Sequence, residues 1–269
     1  MDMVVGETLV NNPIGSGKIC LFYQPQYSLQ SARLVGLEAL LRCWDSELGW
    51  VSPVKLIAQA EQSDAIHKLG FWILQEVFEM ASRLTRAGVS GCKVAANVSP
   101  QQLPNPDFYT FTQECMLAYS SSLNPVELEI TESRALADLD LTLIRLNKLR
   151  QMGFKLALDD FGSGFSSLSY LGKLPISKLK MDRSFVVELD TCNGSRILVQ
   201  SIVNLAHQLG IDVIAEGVET VKQANILRDM GCDQVQGYLY GRPQCERDIL
   251  RLLESKTLCS EQSAGKSCA

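Results

Sequence analysis

Three glycines set the rhythm of this chain. Gly153 follows "DLTLIRLNKLRQM" and precedes "KLALDD", Gly210 follows "ILVQSIVNLAHQL" and precedes "DVIAEG", and Gly231 follows "VKQANILRDM" and precedes "QVQG". Glycine just past an amphipathic run supplies the left-handed backbone that ends a helix, so the repeating unit is helix then strand. Eight strand candidates result: "CLFYQPQY", "LVGLEALLR", "KVAANVS", "ELEITE", "KLALDD", "KLKMD", "DVIAEGV" and "QVQGYLY". Only "SLQSAR" separates the first two, too short for a crossover helix, so they are expected to pair antiparallel. Helices separate the later strands, which are expected to run parallel. The expected fold is α/β, a (β/α)8 TIM-type barrel with one antiparallel strand. A doubly wound open sheet has the same periodicity, because closure is not visible in a sequence.

Boundaries follow from where periodicity stops. Residues 1–18 carry Asn-Asn-Pro and Gly-Ser-Gly and read as a flexible leader or the remnant of a linker from a longer parent; 19–254 read as one domain, and 255–269 as a frayed tail. The opening residues lack a secretory pattern, and no apolar run approaches the roughly 20 residues that span a bilayer, so a cytoplasmic location is expected. Nine cysteines, odd in number and nowhere spaced Cys-x-x-Cys, are expected to be reduced thiols rather than a disulfide framework or zinc site. A formal charge of −5 argues against a broad nucleic-acid surface, so DNA is not an expected partner. An anionic substrate would need a metal or a few placed cations.

In a barrel of this kind the chemistry sits at the C-terminal strand ends. Those ends hold Glu38, Asn97, Glu129, Asp159, Asp182, Glu216 and Gln236. Strand alternation places Ala95, Asn97 and Ser99 on one face, and likewise Glu127, Glu129 and Thr131; Lys155, Ala157 and Asp159; Lys178, Lys180 and Asp182; and Ile214 with Glu216. Clustered carboxylates cannot all ionise without a cation or a large pKa rise. Oxygen donors favour Mg²⁺ or Mn²⁺ over zinc, and adjacent Asp residues suit two metals about 4 Å apart, a device for in-line phosphodiester hydrolysis. The competing reading is surface ion pairs and helix caps, which for Asp160 alone is equally strong. Lys178-x-Lys180 also resembles the base of a Mg²⁺-dependent enolising barrel. His67 and His207 lie in helical stretches and read as non-catalytic; Phe71, Trp72 and Phe78 read as helix packing.

From about Leu21 to Pro243 the chain resembles the EAL phosphodiesterases, bacterial enzymes that linearise cyclic di-GMP. "GLEALLR", "NVS", "EITE", "DDFGSGFSSL", "KMDRSF", "EGVET" and "QGYLYGRP" occur in the family's order. The resemblance implies metal ligation by Glu38, Asn97, Glu129 and Asp159, a second metal on Asp159 and Asp160, and Gln236 nearby among the metal residues. It implies catalytic roles for Glu38, Lys180 and Glu216, the latter two positioning or deprotonating the attacking water, and substrate contacts from Arg42 and Gln24. Glu132 is similar to the acid that anchors the loop after Asp160, and Asp182 and Glu219 look like supporting residues. Both Asp159 and Asp160 can face one metal pair only if the backbone leaves strand geometry at Asp160, which is the expectation here. The Gly-Ser-Gly that follows is expected to be a mobile loop. The product implied is linear pGpG, the cofactor Mg²⁺ or Mn²⁺, and the assembly a homodimer formed near that loop, with a sensor or regulatory domain in a longer parent. The alternative is a catalytically silent receptor or interaction module. Two departures stand out: Ser177 where the family often has Asp, and Cys43 preceding Trp44 where Arg-Trp is usual.

Overall fold

The eight expected strands close into a ring. The computed structural model describes residues 19–45, 49–119, 126–132, 139–162 and 168–253. Strand β1 (Ile19–Ser28) lies antiparallel to β2 (Leu34–Asp45) on one side and to β9 (Gln234–Gln236) on the other. From β2 the ring continues in parallel through β4 (Lys93–Asn97), β5 (Val126–Thr131), β6 (Lys155–Phe161), β7 (Lys178–Met181) and β8 (Asp212–Ala215) to β9. This closure excludes the open sheet. Two short strands that periodicity does not reveal, β3 (Gly49–Val51) and β10 (Gln244–Cys245), extend the sheet beside β2 and β1. They are too short to carry a repeat of their own.

Helices α1 (Pro53–Ala60) and α2 (Ala65–Arg86) fill the long connection between β2 and β4. Further along lie α3 (Pro106–Tyr119), α4 (Leu139–Gln151), α5 (Arg183–Val187), α6 (Asn193–Gln208) and α7 (Val221–Asp229). Gly153, Gly210 and Gly231, just after α4, α6 and α7, all have positive φ, as their stop function requires. Residues Leu128, Ile130, Leu156, Leu158, Leu179 and Val213 form the buried layer between barrel and helices. Phe71 stacks on Phe111 and Phe78 on Tyr119, so these aromatics pack helices.

The other strand face holds polar groups that meet across the barrel. Lys178 on β7 reaches Glu127 on β5, and Lys180 reaches Glu38 on β2. Several expected strands end early, among them "DVIAEGV", which stops at Ala215. The segment "QVQGYLY" is extended only to Gln236, because Gly237 turns the chain against Val218, where a Cβ would lie 2.2 Å from a backbone oxygen. In "KLKMD" the strand ends at Met181, and Asp182 leaves the inward face to cap α5, accepting from Ser184 N at 2.9 Å. The expected leader, the tail from Glu254 onward and residues 163–167 of the Gly-Ser-Gly loop lie outside the described residues.

Candidate active site

Lys180 is the centre of the barrel mouth. Its ammonium, 1% exposed, lies 2.7 Å from Glu129 Oε2, 2.9 Å from Asp159 Oδ1, 2.9 Å from Glu216 Oε1 and 3.4 Å from Glu38 Oε2. Parity explains much of the convergence: Glu129 and Asp159 are inward residues near the ends of β5 and β6, Glu38 lies on β2, and Glu216 directly follows β8. Burial alone would lower the lysine's pKa, but Asp159, Glu129, Glu216 and Glu38 outweigh it and raise it well above the usual range. The carboxylates respond unequally. Burial pushes Glu216 up to about 8, with Asp159 and Glu38 adding to the rise and Lys180 opposing it. Burial likewise raises Glu129 well above the carboxylate range. Burial also acts to raise Glu38, yet Lys180 and hydrogen bonds from Gln236 and Asn97 hold it low.

Asp160 resolves the question that alternation poses. Its φ is +54°, and the β6–β7 register shifts between Leu158 and Phe161. A left-handed non-glycine residue at a bulge is a costly local conformation that re-aims a side chain. Asp160 therefore joins Asp159 at the mouth, and its own N–H donates to Asp159 Oδ1 at 2.9 Å. Burial and the neighbouring Asp159 raise its pKa.

Two groups of three carboxylates place one oxygen each within 4.8 Å of one another: Glu38, Glu129 and Asp159, and Asp159, Asp160 and Glu216. Asp159 belongs to both. Glu129 Oε1 is fully buried without a hydrogen-bond partner, an atom positioned to accept a cation. The donors are all oxygen, which fits a hard divalent metal. Asn97 Nδ2 donates to Glu38 Oε1 at 3.2 Å, so its carboxamide stands beside the first group. Gln236 is presented differently: its Nε2 donates to Glu38 Oε2 at 2.5 Å and to Gln24 Oε1 at 3.1 Å. It meets the cluster through its N–H rather than through an oxygen. Gln24 in turn donates to Gly241 O.

Two cavities meet at Asp159, Asp160 and Leu40. The smaller, about 310 Å³, also exposes Glu38, Lys180 and Glu216; the larger, about 500 Å³, is lined by Arg42, Asn97 and an apolar wall including Ile57, Ile66 and Leu69. Arg42 donates to Leu41 O and lies over the Phe22 ring, 5.5 Å from its centroid. Glu219 pairs with Arg183 at 2.9 Å on the wall of the smaller cavity. Arg183 is a cation that alternation missed, although it follows Asp182 within "KMDRSF". Tyr238, on the same wall, carries the Arg242 guanidinium 4.0 Å over its ring. His207 pairs with Asp233, which also accepts from Val213 N at the start of β8, the opposite barrel end.

Glu132, 3% exposed, accepts from Gly162 N at 2.9 Å and from the Tyr170 hydroxyl, thereby bracketing residues 163–167 from both sides. The Glu132→Ala variant is expected to lose turnover about 100-fold through misplacement of Asp160, with the melting temperature falling by only a few degrees. Steady-state kinetics beside thermal melts check this, and wild-type turnover in the variant would refute the anchor role.

The chain is similar to known proteins in sequence and fold. The EAL domain family profile matches residues 9–243. The chain is 35% identical over 233 residues to the bifunctional diguanylate cyclase/cyclic di-GMP phosphodiesterase MucR of Pseudomonas aeruginosa, covering 87% of this chain and 34% of that protein. It is 34% identical to the cyclic di-GMP phosphodiesterase PA2567 of the same species, covering 85% of this chain and 39% of that one. The chain spans about a third of the length of the curated relatives it matches. Among solved structures, a c-di-GMP complex of the PaMucR phosphodiesterase superposes with a TM-score of 0.83 at 34% identity, covering 90% of this chain and 98% of that one. A manganese/cyclic di-GMP complex of BlrP1 from Klebsiella pneumoniae gives 0.73 at 30% identity, covering 84% and 56% respectively. The chain belongs to the EAL domain family.

Proposed function

We propose that this chain is a metal-dependent phosphodiesterase that hydrolyses cyclic di-GMP to linear pGpG. The observation that carries the reading is the pair of carboxylate groups joined by Asp159 around Lys180, at the junction of two cavities. Glu38, Asn97, Glu129 and Asp159 would hold one divalent cation and Asp159 with Asp160 a second, of the Mg²⁺ or Mn²⁺ class. Such a pair lowers the pKa of a water and offsets charge on the phosphoryl oxygens.

The chain's own residues do the rest. Glu216, one of the acids around Lys180, takes the water's proton at a carboxylate oxygen, and Lys180 Nζ orients that water by donation. Arg42 and Arg183 supply positive charge on the two cavity walls for the substrate's phosphates. The apolar wall of the larger cavity suits a flat purine. One water is consumed and one ester P–O bond opens, which leaves a linear dinucleotide. An acidic chain thus handles an anionic substrate because its cations are local.

Incubation with Mn²⁺ or Mg²⁺ and cyclic di-GMP is expected to give pGpG by chromatography, and Glu38→Ala is expected to abolish it while the circular dichroism spectrum is retained. Saturable nucleotide binding with no pGpG at any protein concentration would replace this reading with the receptor reading. No helix among the described residues is long and apolar enough to cross a membrane. A cytoplasmic homodimer, controlled by a domain outside this chain, completes the proposal; the relatives' greater length supports the last element.

A further inference from the structure

Below the active-site acids, a second lysine lies in the barrel, and the hydrolytic scheme does not use it. Lys178 is fully buried, 2.5 Å from Glu127 Oε1, and Glu127 Oε2 also accepts from Lys93 at 3.3 Å. Lys178 Nζ donates to Gln26 Oε1 at 3.2 Å, Gln26 Nε2 donates to Gln236 Oε1 at 2.9 Å, and Gln236 Nε2 donates to Glu38 Oε2 at 2.5 Å. Lys178, Glu127, Gln26, Gln236 and Glu38 are each 5% exposed or less. The chain of bonds therefore runs from the buried ion pair to a proposed metal-binding acid without meeting water.

Its direction is forced from both ends. An ammonium only donates and an ionised carboxylate only accepts. Lys178 must meet the oxygen of Gln26, and Glu38 must meet the nitrogen of Gln236; the two carboxamides between them then have one consistent orientation. Gly36, the cross-strand partner of Gln26, makes room for it, because a Cβ there would lie 2.4 Å from Gln26 Oε1. Lys93, Glu127, Lys178, Gln26, Gly36 and Gln236 sit on six strands, so the arrangement exists only in the closed barrel.

We propose that Lys178 is a positioning residue: through Gln26 it fixes the Gln236 carboxamide with its N–H toward Glu38, and so sets that acid for metal binding. The proposal rests on the metal-binding reading of the mouth, and two measurements keep them apart.

Gln26→Glu tests it at constant size. The new carboxylate still accepts from Lys178 but has no N–H for Gln236, so the Gln236 oxygen loses its donor, faces a carboxylate instead, and no longer holds the carboxamide in place against Glu38. In the metal-free protein the side-chain amide NMR signals of Gln236 are expected to shift; unmoved signals would overturn the proposal whether or not metal binds. In calorimetry without nucleotide, Mn²⁺ affinity is expected to fall about 10- to 100-fold, with the melting temperature near wild type. The double variant Lys178→Met with Glu127→Leu removes the ion pair as a unit, and is expected to lose Mn²⁺ affinity in the same range while KM for nucleotide at saturating metal stays unchanged. Wild-type affinity in both folded variants would overturn the positioning role. A wild-type protein that binds no Mn²⁺ would instead sink the metal reading, and the NMR arm would decide the rest.

Discussion

Lys180→Met is expected to cost the metal-free protein about 3–5 kcal/mol at neutral pH, because it leaves Glu38, Glu129, Asp159 and Glu216 facing one another without a counterion. The pH dependence has a definite sign. With the ammonium gone, Glu129 and Glu216, which burial already raises, titrate still higher in the folded state than in the unfolded chain, so the native state binds more protons. Stability is then present at low pH and lost as pH rises. Thermal melts of the variant are expected to be higher at about pH 5 than at about pH 8, with a steeper fall than wild type. Mn²⁺ is expected to restore more stability to the variant than to wild type, since divalent charge replaces the missing cation. Turnover at saturating metal is expected to drop about 10²- to 10⁴-fold through loss of water orientation. Unchanged melting and unchanged turnover would remove Lys180 from the centre of the site.

Asp159→Asn is expected to show the largest effect on turnover, about a thousandfold or more, because one residue serves both carboxylate groups. The substitution keeps the side-chain volume and an oxygen for the Asp160 N–H, so the left-handed turn at Asp160 is preserved. What is lost is the shared negative charge. Mn²⁺ titration is expected to show at most one bound ion where two are expected in the wild type, and single-turnover kinetics are expected to slow in parallel. Two ions bound with wild-type turnover would show that Asp159 does not bridge. The melting temperature reports separately on folding, and it is expected to rise or stay level, since removing one of four crowded acids relieves repulsion.

Much of the site is legible because strand alternation is local. Glu129 and Asp159 each follow from the period of two within a single strand, Glu38 stands on a strand candidate, and the glycine stops place the later strands in order. Alternation fails where the backbone leaves the strand. Asp182 shares parity with Lys180 yet caps α5, because β7 ends one residue before it. Asp160 has the wrong parity and still reaches the mouth, because its positive φ re-aims it. Arg183 has no periodic signal, since it begins a five-residue helix rather than ending a strand.

The sequence by itself determined the order of helices and strands, the antiparallel start and the acids that line the mouth, since each depends on residues a few positions apart. Tertiary structure decided what those acids meet. Closure of β1 against β9 brings Gln26 to Gln236, residues 210 positions apart, and places Lys180 among acids from β2, β5, β6 and the residue just past β8. It also brings the Gln236 N–H onto Glu38 Oε2. Periodicity reports which face a side chain takes; only the closed barrel determines which partner stands opposite, and that partner sets its charge and orientation.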